Sequence, residues 1–263
     1  MRKYLAVYRN ALMGSLSYRG EFFVTGLSNL VFIILIYYIW KSIYGDLPQL
    51  NGMTFKDTFI YLAIASSLFI TFITFTEWMI SSIIISGDIV KFLIRPLDFQ
   101  IHMMIIGLSI CTVNIVTTSI PTLILLFFVF SSEIPLGYNI LFFIPSVLLA
   151  YFISFHIDYI VGITSFYTES IWGISATKEA VVMLLSGVLI PLPFFPEGIQ
   201  NVLAFLPFQA IFNTPLTILI SDGFSIHNYI SKILIQCVWL IALHLLSRLY
   251  YERAVRVMTI AGG

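Results

Sequence analysis

Few side chains in this chain of 263 residues could do chemistry, and those that could lie in or beside long apolar runs. Glu77, Asp158, His156, His102 and His244 are the ionisable groups among them, and an ionisable group at membrane depth marks a pathway, a relay or a paired structural charge. Ser175, in Gly173-Ile174-Ser175-Ala176, could serve as a nucleophile with His244 as its base, the arrangement of an intramembrane serine protease. So short a string recurs by accident, and Lys178 and Glu179 stand beside it. Cys111 and Cys237 both sit in apolar runs, with neither a disulfide framework nor metal-ligand spacing. The sequence has no G-x-x-x-x-G-K-[ST], no H-E-x-x-H, no C-x-x-C and no G-x-S-x-G. The expectation is therefore no catalytic residue, no metal site and no cofactor on this chain.

The elements that must position these groups are membrane helices. The chain is 59% hydrophobic and 10% charged, against about 25% charged in a soluble domain. Its formal net charge is zero, so no broad positive field invites nucleic acid. A crossing helix needs roughly 20 apolar residues. Runs of that length cover 22–44, 59–85, 101–130, 140–166 and 229–250, with Pro121 expected to kink the third. Between the fourth and last runs, residues 180–192 and 198–206 are apolar but short, and they are punctuated by Pro191, Pro193, Pro196, Pro207 and Pro215. This pattern predicts an all-α polytopic protein forming a single transmembrane domain over 1–263. It has about six crossings, a short fifth one, and re-entrant outer helices over 191–215.

Residues 1–20 are not a signal peptide, because Arg2, Lys3, Arg9 and Arg19 are spread through the segment. Leu5, Tyr8, Leu12 and Leu16 recur at helical spacing, which predicts an amphipathic helix on the membrane face. With that helix inside, Arg2, Lys3, Arg9, Arg19, Lys91, Arg95, Lys178, Arg248, Arg253 and Arg256 all fall on the cytoplasmic side, leaving only Lys41, Lys56 and Lys232 outside. The positive-inside rule then places both termini in the cytoplasm. Glu77 lies ~27 Å from the outer end of its run at 1.5 Å per residue, and Asp158 at a similar depth. Neither is at the midplane. Glu77, Asp158 and His244 either pair and snorkel at the inner interface or line an inward-facing vestibule. A midplane without charge argues that transport work is energised from outside the membrane part.

Two segments carry most of the information. The loop 86–98 is the most charged internal stretch, and Gly87 and Pro96 bracket about two helical turns. Ile89, Phe92 and Leu93 fall on one face, with Asp88 and Arg95 suited to the helix dipole. Such a helix either docks into a groove on a partner or lies on lipid. The second segment, 186–198 continuing to Leu206-Pro207-Phe208, has no lysine or arginine nearby. A hydrophobic cap built from Pro191, Pro193, Phe194, Phe195, Pro196, Pro207 and Phe208 could gate the exit of a greasy substrate, or form a lipid-facing hairpin.

The order of these features resembles the permease subunit of ATP-binding-cassette exporters of the type-2 permease family. The resemblance rests on the basic N-terminal helix, Gly87-x(7)-Arg95-Pro96-Leu97, and Gly187-Val188-Leu189-Ile190-Pro191-Leu192-Pro193-Phe194-Phe195-Pro196 followed by Leu206-Pro207-Phe208. A basic tail ending in Ala261-Gly262-Gly263 completes it, so nearly the whole chain is covered. The resemblance implies six spans, a second permease (the same or a related chain), and separate ATPase subunits that hold ATP and Mg. It makes Gly87 to Leu97 the coupling helix, with Gly87, Asp88, Ile89, Lys91, Phe92, Leu93, Arg95, Pro96 and Leu97 as its contacts. It makes the N-terminal segment a connecting helix and the stretch after Pro191 the outer re-entrant helices. The reading is an exporter permease of the plasma (inner) membrane, moving an amphipathic or lipid-like cargo. The rivals are an ATP-independent carrier or channel, the serine protease above, and a membrane scaffold that moves nothing.

Overall fold

The computed structural model describes residues 2–17, 19–94, 97–130, 137–221 and 224–257. Among these the named elements are all helices, without a named strand. Helix α1 covers Arg2–Ser17 and α2 covers Arg19–Tyr44. Next come α3 (Phe55–Phe72), α4 (Thr76–Ile85) and the short α5 (Ile89–Leu93). Helix α6 (Phe99–Asn114) runs through a π-turn at Ile115–Ser119 into α7 (Ile120–Phe128). The remaining helices are α8 (Asn139–Ile163), α9 (Trp172–Leu185), α10 (Glu197–Ala204), α11 (Asn213–Ile220) and α12 (Ile226–Val255). Five helical segments are long and apolar enough to cross a membrane: 20–44, 55–85, 99–128, 139–166 and 226–255. They match the five long runs read from the sequence. The segment 55–85 is enclosed by the others, whereas α2 and α12 turn most of their surface outward.

Caps mark the starts of three of these segments. Thr54 and Asp57 form a reciprocal capping box at α3, Asp98 accepts from Ile101 N–H at α6, and Ser225 accepts from Asn228 N–H at α12. Helix α1 packs along α6, with the Tyr8 hydroxyl donating to Thr112 Oγ1 at 2.9 Å. Of its expected stripe, Tyr8 and Leu12 turn toward the protein, while Leu5 and Leu16 are exposed.

Two interior breaks shape the bundle. Pro121 has no N–H for the carbonyl four residues earlier, Thr117, and the helix relaxes into the π-turn just before it. Gly26 of α2 lies directly on that carbonyl, where an added β-carbon would be 2.1 Å from the oxygen. The second break overturns the expectation of one continuous helix over 59–85. Ile73 is extended and Phe75 is left-handed (φ 52°), so α3 and α4 are separate. Carbonyls at a helix C-terminus must find donors when water is excluded. Asn114 supplies them, with Nδ2 lying 3.1, 3.4 and 3.3 Å from the carbonyls of Ile70, Thr71 and Ile73. Both breaks therefore meet at one place: Asn114 serves the first chain just before the π-turn of the second.

The fifth element differs from the expected run at 180–192. Helix α9 begins eight residues earlier and ends at Leu185, where Gly187 takes a left-handed conformation (φ 87°) of the kind that closes helices. A β-carbon on Gly187 would also meet the Tyr61 hydroxyl at 2.6 Å. At 14 residues α9 is ~21 Å long, shorter than the ~30 Å hydrocarbon core.

Replacing Gly26 by alanine should lower thermal stability in detergent by several degrees, because backbone must move to admit the methyl group. Gly14→Ala is the control: nothing lies within 4 Å of its added carbon, and a helix-interior alanine should be neutral or stabilising by up to about 1 kcal/mol.

Candidate functional site: a buried ion triad under the helix break

Glu77 stands in the first turn of α4, two residues past the left-handed Phe75. Asp158 projects from α8, and Lys178 from the second turn of α9. The Lys178 ammonium donates at 2.8 Å to Glu77 Oε1 and at 2.8 Å to Asp158 Oδ1. Ser175, one turn before Lys178 and the only buried residue of α9, donates to Glu77 Oε1 at 3.1 Å. Glu77 and Asp158 are each 7% exposed. Breaking a buried pair of this kind costs far more than breaking a surface one, because the remaining charge has lost its water. The triad is thus the main tie between α9 and the helices beside it.

Expected members of the site appear here in altered company. Glu77 and Asp158 come together, as a shared inner-face role requires. Lys178, counted from the sequence only among the cytoplasmic-side cations, is inside a helix and bridges them. His244 lies elsewhere: its Nδ1 is 3.0 Å from Nε2 of His156, whose Nδ1 faces the Phe152 carbonyl at 2.7 Å. The pairing of Ser175 with His244 is therefore not formed, since each group bonds a different partner. Sequence gave no sign of the two-histidine contact, which joins residues 88 positions apart.

The triad forms one wall of a cavity of about 180 Å³. Five aromatic rings line it: Phe69 and Phe72 from the end of α3, Phe75 and Trp78 at the break, and Phe212. Phe212 belongs to the proline-rich segment after Pro191, and its ring centroid is 5.7 Å from that of Phe72. That segment was expected to act as one outer unit, but the structure divides it. Pro191 is buried, Pro193 and Pro196 are exposed, and Phe195 is half-buried. Phe194 meets Trp40 edge-on at 5.0 Å, near the C-terminal end of α2. Pro207 is half-buried, and Phe208 shares a groove with Ile157, Thr177 and Lys178, next to the triad. Gln236 fixes the stretch between, donating to the Ala210 carbonyl at 2.8 Å and accepting from Ser146 at 2.8 Å.

The loop 86–98 reaches the opposite end of α4. Gly87 is left-handed (φ 78°), and Asp88 pairs with Lys91 at 2.6 Å on the surface. Helix α5 has five residues, fewer than the two turns expected. Its apolar residues are also divided differently from the expected knob. Ile89 is buried in the chain's own cluster with Phe99, Tyr159 and Ile163, and Phe92 packs edge-on against Phe99 and His102. The outward apolar surface is Val90, Leu93 and Ile94. Leu97 is half-buried, while Arg95 and Pro96 lie outside the described residues, as does the Ala261-Gly262-Gly263 tail. Asp98, which caps α6, also pairs with Arg248 and so ties the loop's exit to α12. No group of three or more potential metal ligands occurs among the described residues.

The described residues thus form an all-α polytopic membrane protein with a short helix beyond the end of its second span. The family model for ABC-2 family transporter protein matches residues 30–262, and the chain belongs to that family. It is a permease component of an ABC transporter, a kind of subunit that works with an ABC ATPase. No curated protein matches the sequence.

Lys178→Met should destabilise the protein by about 3 kcal/mol, measured as unfolding in detergent, because two carboxylates lose their buried counter-ion. In a Glu77→Gln, Asp158→Asn background the same change should cost under about 1 kcal/mol, because no buried anion is left unpaired.

Proposed function

We propose that this permease exports an amphipathic or lipid-like cargo across the plasma (inner) membrane, driven by separate ATPase subunits that bind ATP and Mg. Two permeases, identical or related, would enclose the pathway, with both termini cytoplasmic. The observation that carries the reading is the direct covalent path from α5 to the triad. Helix α5 offers Val90, Leu93 and Ile94 outward, and α4 runs from it back to Glu77 and ends at the break over Ile73–Phe75.

A rigid ten-residue α4 is a lever ~15 Å long. Force on α5 rotates it about the break, where no regular helix has to be melted, since Asn114 already serves the freed carbonyls. Glu77, close to the pivot, moves relative to Asp158 and Lys178. The cavity shared by the triad and Phe212 then changes shape. Residues 191–215 act as the re-entrant outer element: their inner turn, Pro207 to Phe212, closes the cavity from the far side, while Pro191 to Pro196 cover the outer end. This arrangement couples the cytoplasmic loop to the exit route through one shared chamber.

Tagged protein should co-purify with a P-loop ATPase and support ATP-dependent cargo movement in inverted vesicles. A Leu93→Asp, Ile94→Asp variant should lose most of the bound ATPase and at least about tenfold of the transport, while its thermal stability stays within the wild-type range, both side chains being exposed. Transport that persists without ATP, or in that variant, would support an ATP-independent carrier instead.

A further inference from the structure

We infer that the cavity beside the triad is a subsite for an organic cation, taking the ammonium headgroup of an amphiphilic cargo. This inference rests on the transport reading above and gives it a cargo class.

The first observation is a charge imbalance. Three carboxylates, Glu77, Asp158 and Glu179, line the cavity beside a single ammonium, Lys178, which reaches only Oε1 of Glu77 and Oδ1 of Asp158. The second oxygens, Oε2 and Oδ2, receive no hydrogen bond from any described residue, although both residues are more than nine-tenths buried and line the cavity. Those two oxygens face the open cavity, and a cation placed against them gains the attraction of carboxylates held in a largely buried site.

The second observation is what surrounds them. Phe69, Phe72, Phe75, Trp78 and Phe212 supply ring faces and edges around the same space. Aromatic walls with a carboxylate floor suit quaternary or alkylated ammonium groups, which are attracted to ring faces. They suit a small inorganic cation poorly, because hard ions take six or more oxygen ligands and much of this wall is aromatic and aliphatic.

Size supplies the third observation. A cavity of about 180 Å³ is below the roughly 300–1,000 Å³ that encloses a drug-sized molecule. It seats a headgroup. Phe75 and Trp78 are the exposed aromatic members of its rim, at 58% and 39% exposure, so a tail can leave the cavity across apolar surface on that side, away from the exposed Glu179. Lys178 is then an internal cation that holds the site together when no cargo is bound.

Binding of radiolabelled octyltrimethylammonium to the chain in lipid nanodiscs, corrected with empty nanodiscs, tests this without any ATPase. Saturable binding is expected, with octyl sulfate and octyl glucoside as poor competitors. Glu77→Gln and Asp158→Asn should each weaken it by about tenfold, and Trp78→Leu by about threefold. Equal competition by the sulfate or the glucoside overturns the proposal, as does displacement by sodium chloride at matched concentration. Unchanged affinity in Glu77→Gln also overturns it; should that variant fail to fold, unchanged affinity in both Trp78→Leu and Phe75→Leu, at the exposed rim, does the same. Loss of cation binding with ATPase co-purification intact removes only the cargo class. Loss of co-purification with cation binding intact removes the exporter reading and leaves the site.

Discussion

The Lys178 ammonium sits 2.8 Å from a carboxylate on each of two helices, and the helix that carries it has a single buried residue, Ser175. Much of the bundle follows from that contact. Helix α9 is too short to cross on its own and too exposed to be kept by apolar packing. In lipid, apolar packing between helices brings little hydrophobic gain, and polar contacts and close fit decide association. A buried ion triad supplies the missing tie, and it fixes α9 to α4, the element that leads to the exposed α5 surface.

The breaks obey the same constraint. A membrane helix can end in mid-bundle only where its carbonyls find donors. At Ile73 the donor is the Asn114 amide from α6; before Pro121 the chain runs on through a π-turn, with the Thr117 carbonyl packed against Gly26. These arrangements permit irregular backbone without exposing it to lipid, and both occur where the bundle would have to bend. The proline-rich segment is treated likewise: Gln236 receives the Ala210 carbonyl, which lets the chain turn inside the bundle beside Phe212. The cavity lies among these irregular pieces because only there do polar groups and space coincide.

Long elements were legible because their signal is local. A run of some 20 apolar residues reports a crossing whatever surrounds it, and Pro121 reports a break through its own missing donor. The depth of Glu77 was counted along a helix taken as continuous, and the break at Ile73–Phe75 interrupts that helix. That break contains neither proline nor glycine, and nothing in the stretch distinguishes it from continuous helix. The donor for its freed carbonyls is Asn114, more than 40 residues away. The start of α9 was misplaced for a related reason. Lys178 and Glu179 read as the polar edge of an apolar run, and a lysine is welcome inside a membrane helix only if distant carboxylates receive it.

Sequence by itself therefore determined the solvent of this protein, the number and order of its long spans, and the resemblance to a permease family later matched by the family model. Tertiary structure alone decided which charges meet, where the second span breaks, which face of α5 is open, and that Pro207 to Phe212 reach the triad while Pro191 to Pro196 stay by Trp40. The division has one physical reason. Burial in lipid is a property of each segment and is written locally. Satisfying a buried charge or carbonyl takes a partner, and here the partners lie from 20 to more than 100 residues apart.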